Sequence, residues 1–295
     1  MHFVSYVNGT AASYGLLDGD TVLDLPKAAH SGLPGDLMGL IAAGPQALAA
    51  VRHAAKSGGS RVPLSSIKLT APIPRPSKNV FCVGRNYKEH VVEGYRARGA
   101  ETKLPEYPQF FTKPPTTVIG PDEPFFHDPR VTQRLDYEVE LALIIGTAGR
   151  NIARGDAMSH IFGFTVLNDL TGRDLQRRHD QWFKGKSLDR SCPMGPAVVT
   201  PDEIADLSAL ELVCQVNGEE RQRSQVRQMI FDIPEIIAQL SAGLTLEPGD
   251  IIATGTPSGV GYAMDPPRYL GAGDVVECSI GSIGTLRTPI EGRSA

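Results

Sequence analysis

Positive charge is not in excess in this sequence. The 295 residues include 29 lysines and arginines against 33 aspartates and glutamates, so the formal net charge is −4 at pH 7. Nucleic-acid binding usually requires a basic excess or a basic stripe along one face. Neither is present, and no long block of like charges marks an interaction tail. We therefore expect no nucleic-acid partner.

Long hydrophobic runs are also missing. The longest, Leu141–Ile145, falls far short of the roughly 20 apolar residues that cross a bilayer. The N-terminus, MHFVSYVNGT, lacks the basic and apolar regions of a signal peptide. The sequence therefore predicts a cytoplasmic protein without membrane contact.

Cysteine is scarce, and its spacing excludes the common zinc and redox motifs. The sequence has 4 cysteines and no CxxC pair. In a chain long enough to bury a large core, this pattern favours buried free thiols in a reducing compartment. P-loop, GxGxxG, GxSxG and HExxH motifs are absent too, so nucleotide-dependent and zinc-peptidase chemistry are disfavoured.

Glycine and proline are abundant, with 31 and 23 residues, and they separate many short β-prone runs. Asn-Gly and Asp-Gly pairs predict three short antiparallel strands within residues 3–25. Residues 36–57 read as one or two helices broken near Gly44-Pro45. We predict a small N-terminal α/β domain over residues 1–72. A larger domain over residues 73–295 has more strands than helices, which indicates a β-rich, mostly antiparallel α+β fold.

The most informative segment is LDYEVELALIIG, residues 135–146. Strand alternation places Asp136, Glu138 and Glu140 on one face, which continues into apolar residues. Two such carboxylates on a partly buried face repel each other unless a cation neutralises them. Asp169, at the end of another apolar strand, offers a third oxygen ligand for a hard divalent ion. The alternative, a solvated face of an edge strand, stays open.

Three further segments carry polar side chains suited to catalysis. His90 and Glu93 are three residues apart, and on a helix the carboxylate would orient the imidazole for proton transfer. Residues 168–189 follow Asp169 and include Arg173, Gln176 and Lys186. A lysine near a metal-bound anion stabilises a developing oxyanion. The turn in residues 251–261 offers free N–H groups to an anion. An incidental surface pair, a solvated loop and a plain tight turn remain the respective alternatives.

Taken together, these segments resemble the fumarylacetoacetate hydrolase superfamily over about residues 78–290. The collinear matches are CVGRNYKEHVVE, FTKP, DYEVELALIIG, NDLTGRDLQ, FKGKSLD, CPMGP, QMIFDIPEII and GDIIATGTPSGVG. The resemblance implies a mixed β-sandwich roll and a homodimer. It implies Mg²⁺ or Mn²⁺ held by Glu138, Glu140 and Asp169. The catalytic residues that it implies are His90, Glu93 and Lys186. The substrate-binding residues that it implies are Lys113, Arg173, Gln176 and Thr256.

The resemblance leaves the reaction open among several chemistries at one metal site. A 2-oxo acid that chelates the ion can form an enolate by C–C hydrolysis, by decarboxylation or by tautomerisation. Because the His90–Glu93 pair suits activation of water, we predict a hydrolase of acylpyruvate-like 1,3-diketo acids such as fumarylpyruvate. The alternative is a decarboxylase or isomerase of 2-oxo or 2-hydroxydienoate diacids in aromatic catabolism. A non-catalytic metabolite binder is disfavoured, because every polar position of the motifs is retained.

Overall fold

The computed structural model describes residues 1–28 and 32–292. The strands are β1 (His2–Asn8), β2 (Ala11–Asp18), β3 (Thr21–Asp24), β4 (Arg61–Pro63), β5 (Lys68–Thr70), β6 (Val80–Gly84), β7 (Gln109–Lys113), β8 (Val118–Ile119), β9 (Phe125–His127), β10 (Leu135–Asp136), β11 (Val139–Ile145), β12 (Ile161–Asn168), β13 (Thr171–Gly172), β14 (Cys192–Val199), β15 (Glu211–Val216), β16 (Glu219–Gln225), β17 (Ile251–Ala253), β18 (Val275–Ile280) and β19 (Gly284–Gly292). The α-helices are α1 (Leu37–Ser57), α2 (Lys88–Arg96), α3 (Arg173–Arg178), α4 (Phe183–Lys186) and α5 (Ile233–Ser241).

A 12-stranded mixed sheet runs through the molecule in the order β4-β3-β2-β1-β14-β12-β11-β17-β6-β7, with β5 paired to β1 and β8 to β14. A second sheet has the order β16-β15-β18-β19-β9, and β10 pairs with β13. One face of β11 and β12 packs with β15, β18, β19 and α5 in a common apolar core. The other face packs with the N-terminal strands and α1. The β-rich α+β prediction is confirmed.

The N-terminal region follows the sequence prediction closely. Strands β1, β2 and β3 pair in antiparallel order, joined by turns at Asn8-Gly9 and Asp18-Gly19. Helix α1 is kinked at Gly44, which has φ of 71° and precedes Pro45. Proline disfavours helical geometry in the residue before it, and glycine tolerates the positive φ that results. The break near Gly44-Pro45 is therefore confirmed.

The N-terminal strands are continuous with the larger sheet. Strand β1 pairs with β14, with His2 opposite Val199 and Phe3 opposite Val198. The Phe3 and Phe162 rings, 5.4 Å apart, pack in the core shared with α1. Residues 1–72 thus extend the sheet of the remaining chain.

Four chain segments meet at one end of the central strands of the large sheet. Strand β11 begins where its antiparallel neighbour β12 ends, with Val139 opposite Asn168. Strand β17 lies antiparallel on the other side of β11, and β6 runs parallel to β17. The ends of β6, β12 and β17 therefore reach the beginning of β11. Polar residues at these ends are brought together there.

Two further features of the chain are the state of its cysteines and the length of its helices. All four cysteines are buried and free, as predicted. Among the helices of residues 1–28 and 32–292, none is long and apolar enough to cross a membrane.

Candidate active site

The acidic segment lies in the interior of the sheet. Glu138 and Glu140 are 4% and 1% exposed, and β11 has a hydrogen-bonded strand on each side. Ala142 and Ile144 continue the face of the two glutamates into one apolar core. The alternate residues of β11 belong to the other core. The alternation is confirmed, and the alternative of a solvated edge strand is excluded.

Three carboxylates converge at this point. The Asp169 N–H donates to the Glu138 carbonyl oxygen at 2.9 Å, which fixes the end of β12 against the start of β11. One carboxylate oxygen each of Glu138, Glu140 and Asp169 lies within 4.8 Å of the others, and all three residues are buried. We call these residues the acidic triad.

The two glutamates of the triad experience opposite electrostatic environments. Burial opposes ionisation of Glu138, but the positive charges of Lys186 and Arg173 outweigh it and lower its pKa to about 2. Burial, together with the nearby carboxylates of Asp169 and Glu138, raises the pKa of Glu140 well above its ordinary value. The negative charge around Glu140 is therefore less well balanced by positive side chains than the charge around Glu138.

The triad fits a hard divalent cation. Its donors are carboxylate oxygens, which such cations prefer, and three of them leave coordination positions for other ligands. A cation among them would supply the positive charge that Glu140 lacks. Backbone geometry supports the arrangement, because the Gly255 N–H donates to Glu140 Oε2 at 2.8 Å and so orients that carboxylate.

Helix α2 carries the predicted histidine–glutamate pair. His90 Nδ1 lies 2.8 Å from Glu93 Oε1, while Glu93 Oε2 accepts from the Gly259 N–H at 2.8 Å. Because Nδ1 faces the carboxylate, Nε2 is the ring nitrogen left for proton transfer. His90 lines the same cavity as Glu138 and Glu140, so its ring shares that cavity with two carboxylates of the triad.

Two cations from the segment after Asp169 bind the triad. Lys186 Nζ donates to Glu138 Oε2 at 2.7 Å and to Asp169 Oδ2 at 2.6 Å. Arg173 Nη2 lies 2.7 Å from Glu138 Oε1, and its Nε donates to Asp136 Oδ2 at 2.9 Å. Burial disfavours the charged form of Lys186, but the carboxylates of Asp169 and Glu138 raise its pKa above the ordinary value. Lys186 therefore places a positive charge beside the triad.

The remaining polar residues predicted to bind substrate are held by their neighbours. Arg173 Nη1 donates to Gln176 Oε1 at 3.2 Å, one turn along α3. Thr256 Oγ1 accepts from Gln222 Nε2 at 2.8 Å, which leaves the threonine hydrogen able to donate. Arg173, Gln176 and Thr256 all line the cavity.

Lys113 is the one predicted substrate-binding residue that the structure does not bring to the cavity. Its side chain is fully buried, and Nζ donates to Asp169 Oδ1 at 2.7 Å and to Ser191 Oγ at 3.1 Å. It also donates to the carbonyl oxygens of Leu170 and Lys186. Lys113 therefore orients Asp169 from behind, since all four of its acceptors belong to the protein.

The cavity has a volume of about 380 Å³ and includes residues that the sequence reasoning missed. These are Arg85, Arg98, Arg177, Trp182 and Tyr262. The Trp182 ring forms part of the cavity wall. Its occurrence as the single tryptophan was a usable clue. The arginines gave no comparable clue, because nothing in their spacing distinguishes them from surface arginines.

Comparison with known proteins adds three relatives. The chain is 46% identical over 288 residues to the oxaloacetate tautomerase YisK of Bacillus subtilis (strain 168), covering 93% of this chain and 94% of that protein. A fumarylacetoacetate hydrolase structure from Exiguobacterium antarcticum matches with a TM-score of 0.84 and 38% identity, over 99% of this chain and 100% of that one. A 5-carboxymethyl-2-hydroxymuconate delta-isomerase structure from Mycobacterium smegmatis matches with a TM-score of 0.77 and 31% identity, with the same coverage.

The prediction of C–C bond hydrolysis is wrong on this comparison. The relative at 46% identity is a tautomerase, and an isomerase is among the similar structures. The error has a physical cause. A histidine oriented by a glutamate activates water, but it equally moves a proton between carbon and oxygen, so the pair does not distinguish the two reactions.

The family itself is shown by a separate match. The model of the C-terminal domain of fumarylacetoacetate (FAA) hydrolase covers residues 79–291, which include the triad, the His90–Glu93 pair and Lys186. The chain therefore belongs to the fumarylacetoacetate hydrolase family of enzymes.

Proposed function

We propose that this protein is a metal-dependent tautomerase of 2-oxo acids of the oxaloacetate type. It would interconvert keto and enol forms by moving a proton between the carbon beside the oxo group and the oxo oxygen. The observation that carries the proposal is the placement of His90, Lys186 and the two triad glutamates around one cavity. The 46% identity to an oxaloacetate tautomerase supports the same reaction.

The acidic triad would hold Mg²⁺ or Mn²⁺, as its three oxygen donors suit either ion. When bound, such an ion supplies Lewis-acid polarisation of the oxo group. Arg173, Gln176 and Thr256 provide hydrogen-bond donors on the cavity wall for the substrate carboxylate. They would orient the substrate so that its acidic carbon faces His90.

His90 performs the proton transfer in this proposal. Its Nε2 accepts the proton from the carbon next to the oxo group, and the released electron pair forms the carbon–carbon double bond of the enol. Lys186 stabilises the negative charge that develops on the oxo oxygen. The same imidazole then returns its proton to that oxygen. Glu93 keeps the ring oriented, and no water is consumed.

The proposal is tested by following the ultraviolet absorbance of enol oxaloacetate as it converts to the keto form. With Mg²⁺ or Mn²⁺ we expect acceleration over the uncatalysed rate, and EDTA should remove it. His90→Asn should lower kcat by about 10²–10⁴-fold, the usual contribution of general acid–base catalysis. His53→Asn is the matched control, because His53 is exposed on α1, and it should behave as wild type.

Two results would contradict the proposal. One is unchanged turnover after metal removal or in His90→Asn. The other is formation of pyruvate faster than the tautomers equilibrate, which would indicate decarboxylation.

A second candidate within the same chemistry is isomerisation of a longer 2-hydroxydienoate diacid. The similar isomerase structure and the roomy cavity favour it. The reaction also moves one proton and uses no water, so His90 and Lys186 keep their roles. Comparing kcat/KM for oxaloacetate and for such a dienoate decides between the two.

A further inference from the structure

Three arginines of the cavity wall form no ion pair with a carboxylate among residues 1–28 and 32–292. They are Arg85, Arg98 and Arg177. Within residues 1–28 and 32–292, the ion pairs of the cavity wall involve Arg173 and Lys186 instead. Arg173 and Lys186 belong to the triad end of the cavity. The other three guanidinium groups therefore carry charge that the protein itself does not neutralise.

Aromatic rings hold these arginines in place. The Arg85 Cζ atom lies 5.4 Å from the Trp182 ring centroid and 5.9 Å from that of Tyr95. Arg98 lies 4.8 Å from the Tyr95 ring. A guanidinium that packs on an aromatic face keeps its N–H donors free at the edge. The rings therefore position Arg85 and Arg98 without satisfying them.

The third arginine comes from a different element. Arg177 lies on α3, and its Cζ atom is 5.4 Å from the Tyr262 ring. Arg98 follows α2, and a Cβ on Gly94 of that helix would lie 2.7 Å from the Tyr262 hydroxyl and 4.0 Å from Arg98 Nη2. Arg98 and Arg177 therefore both lie near Tyr262. The three charges reach the cavity from the end of β6, the end of α2 and the last turn of α3.

The charge balance of the cavity favours an anion at this position. Its wall has five cationic side chains, Arg85, Arg98, Arg173, Arg177 and Lys186, and two carboxylates, Glu138 and Glu140. Both carboxylates belong to the triad, where Lys186 and Arg173 lie close to them. Guanidinium groups bind carboxylates through parallel N–H donors. A carboxylate bound by the three remaining arginines would neutralise part of their charge.

We propose that Arg85, Arg98 and Arg177 bind a second carboxylate of the substrate, at the end remote from the acidic triad. The site would then select 2-oxo dicarboxylates over 2-oxo monocarboxylates of equal length. This inference rests on the proposed function for the reacting end of the substrate. It adds the residues that recognise the other end.

Trp182 provides a direct binding measurement, since it is the single tryptophan and lines the cavity. The Mg²⁺-loaded protein is titrated with two matched pairs that differ by one terminal carboxylate. The pairs are oxaloacetate against 2-oxobutyrate and 2-oxoglutarate against 2-oxovalerate. In at least one pair we expect the dicarboxylate to bind at least about tenfold more tightly, the effect of one charged hydrogen-bonded pair.

Single arginine variants distinguish recognition of the second carboxylate from a general effect of positive charge in the cavity. Arg98→Gln and Arg177→Gln should each weaken dicarboxylate binding by about tenfold and change monocarboxylate binding by less than about twofold. Arg178→Gln is the matched control, because Arg178 is exposed on the same helix and lies outside the cavity wall. Arg85→Gln alters the surroundings of Trp182, so calorimetry replaces fluorescence for that variant.

Equal binding of both members of each pair by the wild type would overturn the inference. Equal weakening of mono- and dicarboxylates by Arg98→Gln and Arg177→Gln would overturn it as well. Because binding is measured without turnover, dicarboxylate selectivity in a protein that lacks tautomerase activity would refute the proposed function alone. Tautomerase activity without selectivity would refute this inference alone.

Discussion

Asp136 is a buried carboxylate of the acidic segment that lies outside the triad. It accepts hydrogen bonds from the N–H groups of Tyr137, Gly261 and Tyr262 and from Arg173 Nε. It therefore joins the loop that carries Tyr262 to the arginine that reaches Glu138. Strand alternation placed Asp136 beside the glutamates, but only the tertiary contacts show that its partners are N–H groups.

Replacing Asp136 by Asn should loosen Arg173 while leaving the triad intact. One charged hydrogen bond of this kind is worth about 1.5–3 kcal/mol, so we expect kcat/KM for oxaloacetate to fall by about tenfold or more. Mn²⁺ affinity, measured by calorimetry, should change by less than about threefold. Asp174→Asn is the control, since Asp174 binds Thr132 and Gln133 outside the cavity. Equal losses in both variants would argue against this role.

The direction of the Lys113 side chain could not be predicted from its local sequence. Its place in a short motif suggested contact with substrate, but the direction of its side chain depends on how β7 packs against Asp169 and Ser191. Those partners are 56 and 78 residues away along the chain. No local pattern encodes that approach.

Among the elements, α3 and α4 meet with almost no space between their backbones. A Cβ on Gly185 of α4 would lie 2.5 Å from the Gln176 N atom of α3. Glycine is therefore required there for Lys186 to reach Glu138 and Asp169 while Gln176 faces the cavity. The sequence showed the polar residues of this segment, but not the close approach that positions them.

Gly185→Ala should push α4 away from α3 and displace Lys186 from the triad. We expect a fall in kcat of at least about tenfold, because Lys186 would no longer stabilise the developing negative charge. The emission of Trp182, at the start of α4, should shift in the same variant. Gly155→Ala is the control, since a Cβ there has no neighbour within 4 Å. Wild-type kinetics in Gly185→Ala would show that the close contact of α3 and α4 is not needed for catalysis.

Helices and strands with strong local patterns were predictable. Helix α5 has Asp232 as N-cap, and its side chain accepts from the Glu235 N–H, a pattern typical of an Asp followed three residues later by a Glu. The Asn217-Gly218 turn joins β15 and β16 in a hairpin, as Asn-Gly pairs between β-prone runs favour. By contrast, the side chains of Arg98 and Arg177 reach the cavity from elements distant in sequence. Periodicity shows which face of an element is buried, but not which elements meet.

For the whole molecule, the shared sheet bears on the proposed division at residues 72 and 73. Because β1 pairs with β14 and Phe3 is fully buried against Phe162, the two parts share strand pairing and core. We expect urea denaturation to show one cooperative transition by both Trp182 fluorescence and circular dichroism. Two separated transitions would instead indicate independently stable domains.

Phe3→Ala tests whether the N-terminal strands and the rest of the chain unfold together. Truncating a buried phenylalanine costs about 3–5 kcal/mol of the free energy of unfolding. We expect the whole transition to move to lower urea concentration, with Trp182 reporting the same loss although it lies in the active-site cavity. A shift seen by circular dichroism but not by Trp182 would contradict the coupling.

In the proposed reaction, His90 moves a proton to and from the carbon beside the oxo group in a site that requires a divalent ion. The most direct measurement is proton NMR of oxaloacetate in deuterium oxide with the Mg²⁺-loaded protein, compared with the rate without protein. We expect the protein to accelerate exchange of that carbon's protons for deuterium, and we expect this acceleration to be lost in His90→Asn and after EDTA. Cleavage of the carbon chain without accelerated exchange, or exchange that persists in His90→Asn, would contradict it.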